Sequence, residues 1–313
     1  MRSDRSSSHA SSSTRRPGSP TSATSPDVSS VAELRTAAVE SLAAAGVPTP
    51  QVDAELLLGH VLGLSRGEVQ ARAVTGTEVS ETDAAAFTAL VRRRASREPL
   101  QHITGRAPFR SLELAVGPGV FVPRPETEQV VQLAIDALQA VASPEPLAVD
   151  LGSGSGAIAL AMATEVPRAR VYAAENSPDA FPWTKRNFDE SGASNAVLEF
   201  VDLGEAFAEL EGTVDVVISN PPYIPADAIP RDPEVQLFDP PHALYGGADG
   251  LDVVRVVSQR GLALLHSGGL LVMEHGEEQA STISELLRTD GWLAIASHRD
   301  LLGRDRATTA IRP

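Results

Sequence analysis

The stretch Asn220-Pro221-Pro222-Tyr223 follows directly on the apolar run Val214-Asp215-Val216-Val217-Ile218-Ser219. The run reads as a buried strand, and two successive prolines, which carry no backbone N–H, cannot continue a sheet. The strand must end at Asn220, where a hydrogen-bonding side chain and an aromatic ring bracket a stiff turn. Whatever else the chain forms has to be compatible with that strand end.

Around this run the pattern alternates. Strands are expected at 147–151, 170–174, 198–201, 214–219, 270–274, 292–297 and 307–311, with helices opening from Gly156 and Ser177. Such alternation means an α/β fold with a doubly wound, mostly parallel sheet that binds ligands at the carboxyl ends of its strands. The last two strands, separated only by the loop from His298 to Arg306, read as an antiparallel edge pair.

The amino-terminal part has another grammar. Residues 1–28 are Ser, Thr, Pro and Arg with little to bury and are expected to be a disordered tail, an organellar transit peptide being the alternative. Residues 29–98 carry four helix starts: the capping box Ser30-Val31-Ala32-Glu33, Thr49-Pro50, Ser65-Arg66-Gly67-Glu68, and Ser80 followed by Asp83, the fourth helix running to about Arg97. They predict a small helical bundle, its Arg92-Arg93-Arg94 cluster being either a docking patch or solvated charge at a helix end. Residues 99–126, broken by Pro and Gly, predict a connecting strand pair. It runs into Val122-Pro123-Arg124-Pro125-Glu126-Thr127-Glu128, a rigid loop ahead of a helix that bears Val130, Val131, Ala134 and Leu138 on one face. Residues 127–313 are expected to form the second, larger domain, and any catalytic site would lie there.

Charge narrows the partners. The formal net charge is −15, and the residues beyond position 30 hold 22 basic and 39 acidic side chains. A surface this acidic repels phosphate backbones, which argues against direct nucleic-acid binding. No apolar run approaches the ~20 residues of a membrane helix. Cysteine is absent, excluding disulfides and Cys-ligated zinc, and no metal-ligand spacing is present. A soluble, cytoplasmic monomer without a metal is expected.

The first ligand signal is Asp150-Leu151-Gly152-Ser153-Gly154-Ser155-Gly156, a glycine-rich turn between a strand and a helix. Glycines allow a sharp bend and close approach of a ligand to the backbone, and the helix terminus beyond favours an anionic group. With Ala157 and Glu175 the turn also fits a dinucleotide pattern. A dinucleotide would need a second nucleotide-binding half, whereas S-adenosyl-L-methionine needs one.

Asn220-Pro221-Pro222-Tyr223 together with the 150–156 turn resembles the amino-methyltransferases of the class I S-adenosylmethionine-dependent fold. The segments Arg97-Glu98-Pro99-Leu100, Pro123 to Glu128, Ala243 to Leu251 and Gly268-Gly269-Leu270 narrow the resemblance to the glutamine methyltransferases of peptide-chain release factors, from about residue 31 to the end. The nearest relatives methylate a glutamine of a ribosomal protein. They typically read Pro-Arg-Ser where this chain has Pro123-Arg124-Pro125, and their glycine turn often carries a cysteine.

The resemblance implies N5-methylation of the glutamine in the Gly-Gly-Gln motif of class-one release factors, with S-adenosyl-L-methionine as donor and the helical domain recognising substrate. The alternatives are ribosomal-protein glutamine methylation, nucleic-acid amine methylation, or an adaptor without turnover. It implies that Asn220 and the Pro221 carbonyl accept the two amide hydrogens, that Pro222 stiffens this arrangement, and that the Tyr223 ring lies against the amide. Gly152, Ser153, Gly154, Ser155 and Gly156 would cradle the methionine part beside Asp150, Glu175 would accept the ribose hydroxyls, Asp202 and Leu203 would border the adenine, and Asn220 would contact the donor as well as the substrate. Relatives often have Asp at the position of Glu175 and Trp at that of Leu203, so the carboxylate is kept and stacking area is lost. Glu175 could instead be a solvated strand end, Asp202 a turn cap and His275 structural, and Gly246, Gly247 and Gly250 either close over the site or only turn the chain.

Overall fold

The computed structural model describes residues 29–313; both readings of the tail, disordered or transit peptide, lie outside the described residues. Helix α1 (Val31–Ala44) begins at Ser30, whose hydroxyl accepts from the Glu33 N–H while the Glu33 carboxylate accepts from the Ser30 N–H. Pro50 opens α2 (Pro50–Leu62), the Ser65–Glu68 box opens α3 (Arg66–Thr75), and Ser80 caps α4 (Glu81–Ala95). The serines at the starts of α1, α3 and α4 satisfy N–H groups that have no partner inside the helix, while Pro50 at the start of α2 has no N–H to satisfy. The four helices close on Leu42, Leu57, Leu58 and Phe87, all buried.

The arginine cluster is neither wholly solvated nor a free patch. Arg94 is only 4% exposed; its Nε donates to Asp53 Oδ2 at 2.7 Å, one terminal nitrogen to Glu234 Oε1 at 2.7 Å, and the other to the Glu98 carbonyl. Arg97 also reaches Glu234, at 2.9 Å. One buried guanidinium thus joins α2 and α4 to a segment that follows Asn220-Pro221-Pro222-Tyr223 in the chain, because its planar fork can satisfy several acceptors at once.

The connecting segment departs from the expected strand pair by one element, the short helix α5 (Leu100–Thr104), before β1 (Arg106–Phe109) pairs antiparallel with β2 (Leu112–Ala115). Helix α6 (Pro125–Ala140) starts earlier than the sequence predicts. Pro125 occupies its first turn, where a missing N–H costs nothing, so Glu126, Thr127 and Glu128 are helical rather than loop.

Beyond it, β3 (Leu147–Leu151), α7 (Ala157–Glu165), β4 (Arg170–Glu175), α8 (Phe181–Ser191), β5 (Ala196–Phe200) and β6 (Val214–Ser219) follow the expected alternation. Helix α8 starts one turn after Ser177, which the Ala180 N–H meets as a separate turn. Then come α9 (Pro233–Phe238), α10 (Asp252–Leu264), β7 (Leu265–Glu274), α11 (Ala280–Thr289), β8 (Leu293–Arg299) and β9 (Asp305–Ile311). The seven-stranded sheet runs β5-β4-β3-β6-β7-β9-β8, parallel up to β7 and antiparallel for β9 and β8. This is the class I methyltransferase architecture.

Successive residues of β3 serve opposite faces: Ala148 packs with α6 and α7, Val149 and Leu151 with α10 and α11. Strand order reverses between β3 and β6, so a crevice opens beyond their carboxyl ends. Replacing Arg94 by Ala leaves Asp53 and Glu234 without their buried partner and is expected to cost about 3–5 kcal/mol, read as a lower urea midpoint; a wild-type midpoint would contradict this account of the interdomain contact.

Candidate active site

Two loops meet in that crevice. At the end of β3 the chain turns through Gly152, Gly154 and Gly156, all at positive φ (+80°, +56° and +84°), a conformation that a side chain disfavours. The turn is held from every side. Gly152 and Ser153 donate to the Ala174 carbonyl, Gly154 donates to Glu175 Oε2 at 2.7 Å, Ser153 Oγ donates to Asp150 Oδ2 at 2.7 Å, and Asn187 of α8 donates to the Ser155 carbonyl at 2.8 Å. Nothing lies within 4 Å of where a side chain at Gly154 would begin, and only Leu203, at 3.9 Å, approaches Gly152. A rigid backbone with an open outer face fits a small ligand laid along it.

Glu175 is no solvated strand end. It is buried, its second oxygen accepts from the Ser177 N–H at 2.7 Å, and burial raises its pKa, partly offset by these backbone donors. Asp150 is fully buried and is pushed up to about 7, first by burial and also by the charge of Glu175. Asp202 does cap a turn, accepting from the Gly204 N–H, and it also accepts from Asn176 at 2.8 Å. Leu203 borders Gly152, whereas Asp202 is held by Asn176, the residue after Glu175.

The second loop is Asn220-Pro221-Pro222-Tyr223. Ser219, buried at the end of β6, donates its hydroxyl to the Leu151 carbonyl at 2.6 Å, which fixes this loop against the start of the glycine turn. The Asn220 side-chain amide points its Nδ2 toward Thr127 Oγ1 at 3.4 Å. The Tyr223 carbonyl accepts from Gln279 Nε2 at 2.8 Å, and Ile224 exchanges backbone hydrogen bonds with Leu244 and Gly246. Burial, with the charge of Glu274, pushes the Tyr223 phenol up to about 12, so it stays neutral.

Arg124 stacks over the Phe121 ring at 4.8 Å and binds the buried Asp239 carboxylate at 2.5 Å, tying the segment before α6 to the one that follows α9. Several residues that sequence reading left without a role therefore sit in this site: Ser219, Glu274 and Gln279 as well as Asp239. Glu274 had a signal, being a carboxylate that closes an apolar strand parallel to β6. The others had none, because their partners are remote in sequence. His275 is structural: it is buried, its ring bonds to the Gly276 carbonyl and Thr308, and burial lowers its pKa. Among the described residues no cluster of His, Cys, Asp and Glu could hold a metal, and no helix is long and apolar enough to cross a membrane.

Gly246 and Gly250 do more than turn the chain. A Cβ at Gly246 would strike the Pro222 carbonyl, and one at Gly250 the Tyr223 carbonyl. Gly250→Ala is expected to destabilise by more than Gly303→Ala, which shares the positive φ but meets open space. The second should cost about 1–2 kcal/mol for conformation alone, and equal losses in denaturant unfolding would show that Gly250 is not packed as described.

Two family models match the chain, the PrmC N-terminal domain over residues 33–105 and the methyltransferase small domain over residues 111–236. Among curated relatives, the release factor glutamine methyltransferase of Streptomyces coelicolor is 49% identical, covering 87% of this chain and 95% of the relative. That of Bifidobacterium longum is 44% identical, covering 90% of this chain and 99% of the relative. Among solved structures, a release-factor-specific protein-(glutamine-N5) methyltransferase from Alicyclobacillus acidocaldarius aligns at 27% identity and a TM-score of 0.37, over 63% of this chain and 98% of that one. With identities this high over nearly whole lengths of the curated relatives, the chain belongs to the release factor glutamine methyltransferase family.

Proposed function

We propose that this enzyme methylates the N5 amide nitrogen of the glutamine in the Gly-Gly-Gln motif of class-one peptide-chain release factors, in the cytoplasm, with S-adenosyl-L-methionine as donor. The observation that carries the proposal is the meeting of a glycine turn and the Asn220 to Tyr223 loop at the point where strand order reverses, joined by the Ser219 hydroxyl.

The glycine turn from Gly152 to Gly156 presents backbone to the methionine portion of the donor, with Asp150 anchoring it through Ser153. Glu175 keeps free lone pairs on both oxygens for the ribose hydroxyls, and Asp202 and Leu203 border the adenine. When bound, the donor supplies an electrophilic methyl on a sulfonium.

An amide nitrogen is a poor nucleophile because its lone pair is delocalised into the carbonyl. Asn220 Oδ1 and the Pro221 carbonyl accept its two hydrogens, which orients the nitrogen and enriches its electron density. Pro221 and Pro222 hold those acceptors in place before substrate arrives, and the Tyr223 ring offers a flat surface to the amide. Positioning of this kind can lower a barrier by ~7–11 kcal/mol. No base is needed before the methyl moves, because the nitrogen loses its surplus proton readily afterwards.

The helical unit at 29–98, joined through the segment at 99–126 to the catalytic residues 127–313, recognises the protein substrate. Its link to Glu234 through Arg94 places it against the segment that follows the site. The acidic surface disfavours a nucleic-acid substrate.

Asn220→Ala is expected to lower methylation of a purified release factor by about 100-fold or more, while donor affinity, measured by calorimetry, stays within a few-fold of wild type. An unchanged rate would remove Asn220 from the reaction.

A further inference from the structure

Strands β6 and β7 are parallel, with Ser219 opposite Met273, so the next residue of each, Asn220 and Glu274, emerges at the same end of the sheet. Glu274 is 2% exposed, and its Oε2 has no hydrogen-bond partner. The Thr127 hydroxyl and the Asn220 amide are the neutral polar groups that act on its charge. Burying a carboxylate without a full set of partners is unfavourable, and neither packing nor an ion pair within 4 Å accounts for it here among the described residues.

A side-chain amide has a donating and an accepting end, and in shape the two are nearly interchangeable. What faces it decides which way it turns. An ionised carboxylate only accepts, so it admits the NH2 end alone, and Thr127 Oγ1 stands 3.4 Å from that same nitrogen.

We infer that Glu274 is a positioning residue, which with Thr127 turns the Asn220 amide so that Nδ2 faces inward and Oδ1 is left to accept from the substrate amide. The inference rests on the reading of Asn220 given above. A flipped Asn220 would present a donor to a group that itself donates, and the nitrogen would not be oriented.

The groups facing Glu274 are Thr127, Asn220, Tyr223, Arg306 and Glu126. Burial raises its pKa to about 7, with Glu126 adding to the shift and Thr127, Arg306 and Asn220 opposing it. The selection is therefore complete only above that pH, where the carboxylate has lost its proton.

The test uses the full-length enzyme and the variants Glu274→Gln, Glu274→Asp and Thr127→Val. The Asn220 side-chain NH2 resonances, assigned by their loss in Asn220→Asp, should move with pH about a midpoint near that of Glu274 in wild type and become insensitive to it in Glu274→Gln. On the release factor, Glu274→Gln should lower kcat by about 10–100-fold, the usual effect of removing a group that orients a functional one. Both KM values should change little, Thr127→Val should show a smaller loss of the same kind, and Glu274→Asp should recover part of the rate. Asn220 resonances indifferent to Glu274, or an unaltered kcat in Glu274→Gln, would overturn the inference. Should the release factor prove not to be the substrate of the wild-type enzyme, the proposed function fails, and the resonances still decide how Asn220 is held.

Discussion

The hydrogen bond from the Ser219 hydroxyl to the Leu151 carbonyl is short, buried and central to the site. It joins the last residue of β6 to the last residue of β3, where the chain leaves the sheet for the two loops of the candidate site. A parallel sheet alone would bring these loops into one crevice. The added bond ties the Asn220 loop to the glycine turn, and the proposed transfer between two bound molecules would depend on that registration.

The rest of the molecule holds this pair of loops from outside. Gln279 fixes the Tyr223 carbonyl, Gly246 and Gly250 allow backbone to lie directly on the Pro222 and Tyr223 carbonyls, and Arg94 and Arg124 hold Glu234 in the first turn of α9 and Asp239 just past its end. Buried ion pairs of this kind add little net stability, because desolvation consumes most of the attraction. Their use here is geometric, since each arginine fixes a segment near the site to a different part of the fold.

Local signals were legible and remote ones were not. The bounds of β3 and β6 follow from sequence because apolar runs end at Gly or before Pro, and the starts of α1 to α4 follow because each is written within four residues, as a serine cap in three of them and as Pro50 in α2. The early start of α6 was missed because Pro125 suits both a loop and a first helical turn. Strand β7 begins at Leu265 rather than 270 because Gly268-Gly269 reads as a turn, although the pair sits within the strand. The burial of Arg94 depends on Asp53 and Glu234, residues 41 and 140 positions away, and no local pattern announces such a partnership. In the site, the Asn220 loop and the glycine turn were legible as motifs; Glu274 was legible only as a carboxylate closing an apolar strand until the parallel pairing set it beside Asn220, and Gln279 gains meaning only from its bond to the Tyr223 carbonyl.

The central claim is that this site acts on one glutamine amide of a release factor. The direct measurement is tandem mass spectrometry of a purified release factor and a large-subunit ribosomal protein after separate incubation with the enzyme and S-adenosyl-L-methionine. The account predicts a single methyl on the side-chain nitrogen of the Gly-Gly-Gln glutamine and none on the ribosomal protein. A methylated ribosomal-protein glutamine beside an unmodified release factor would contradict it.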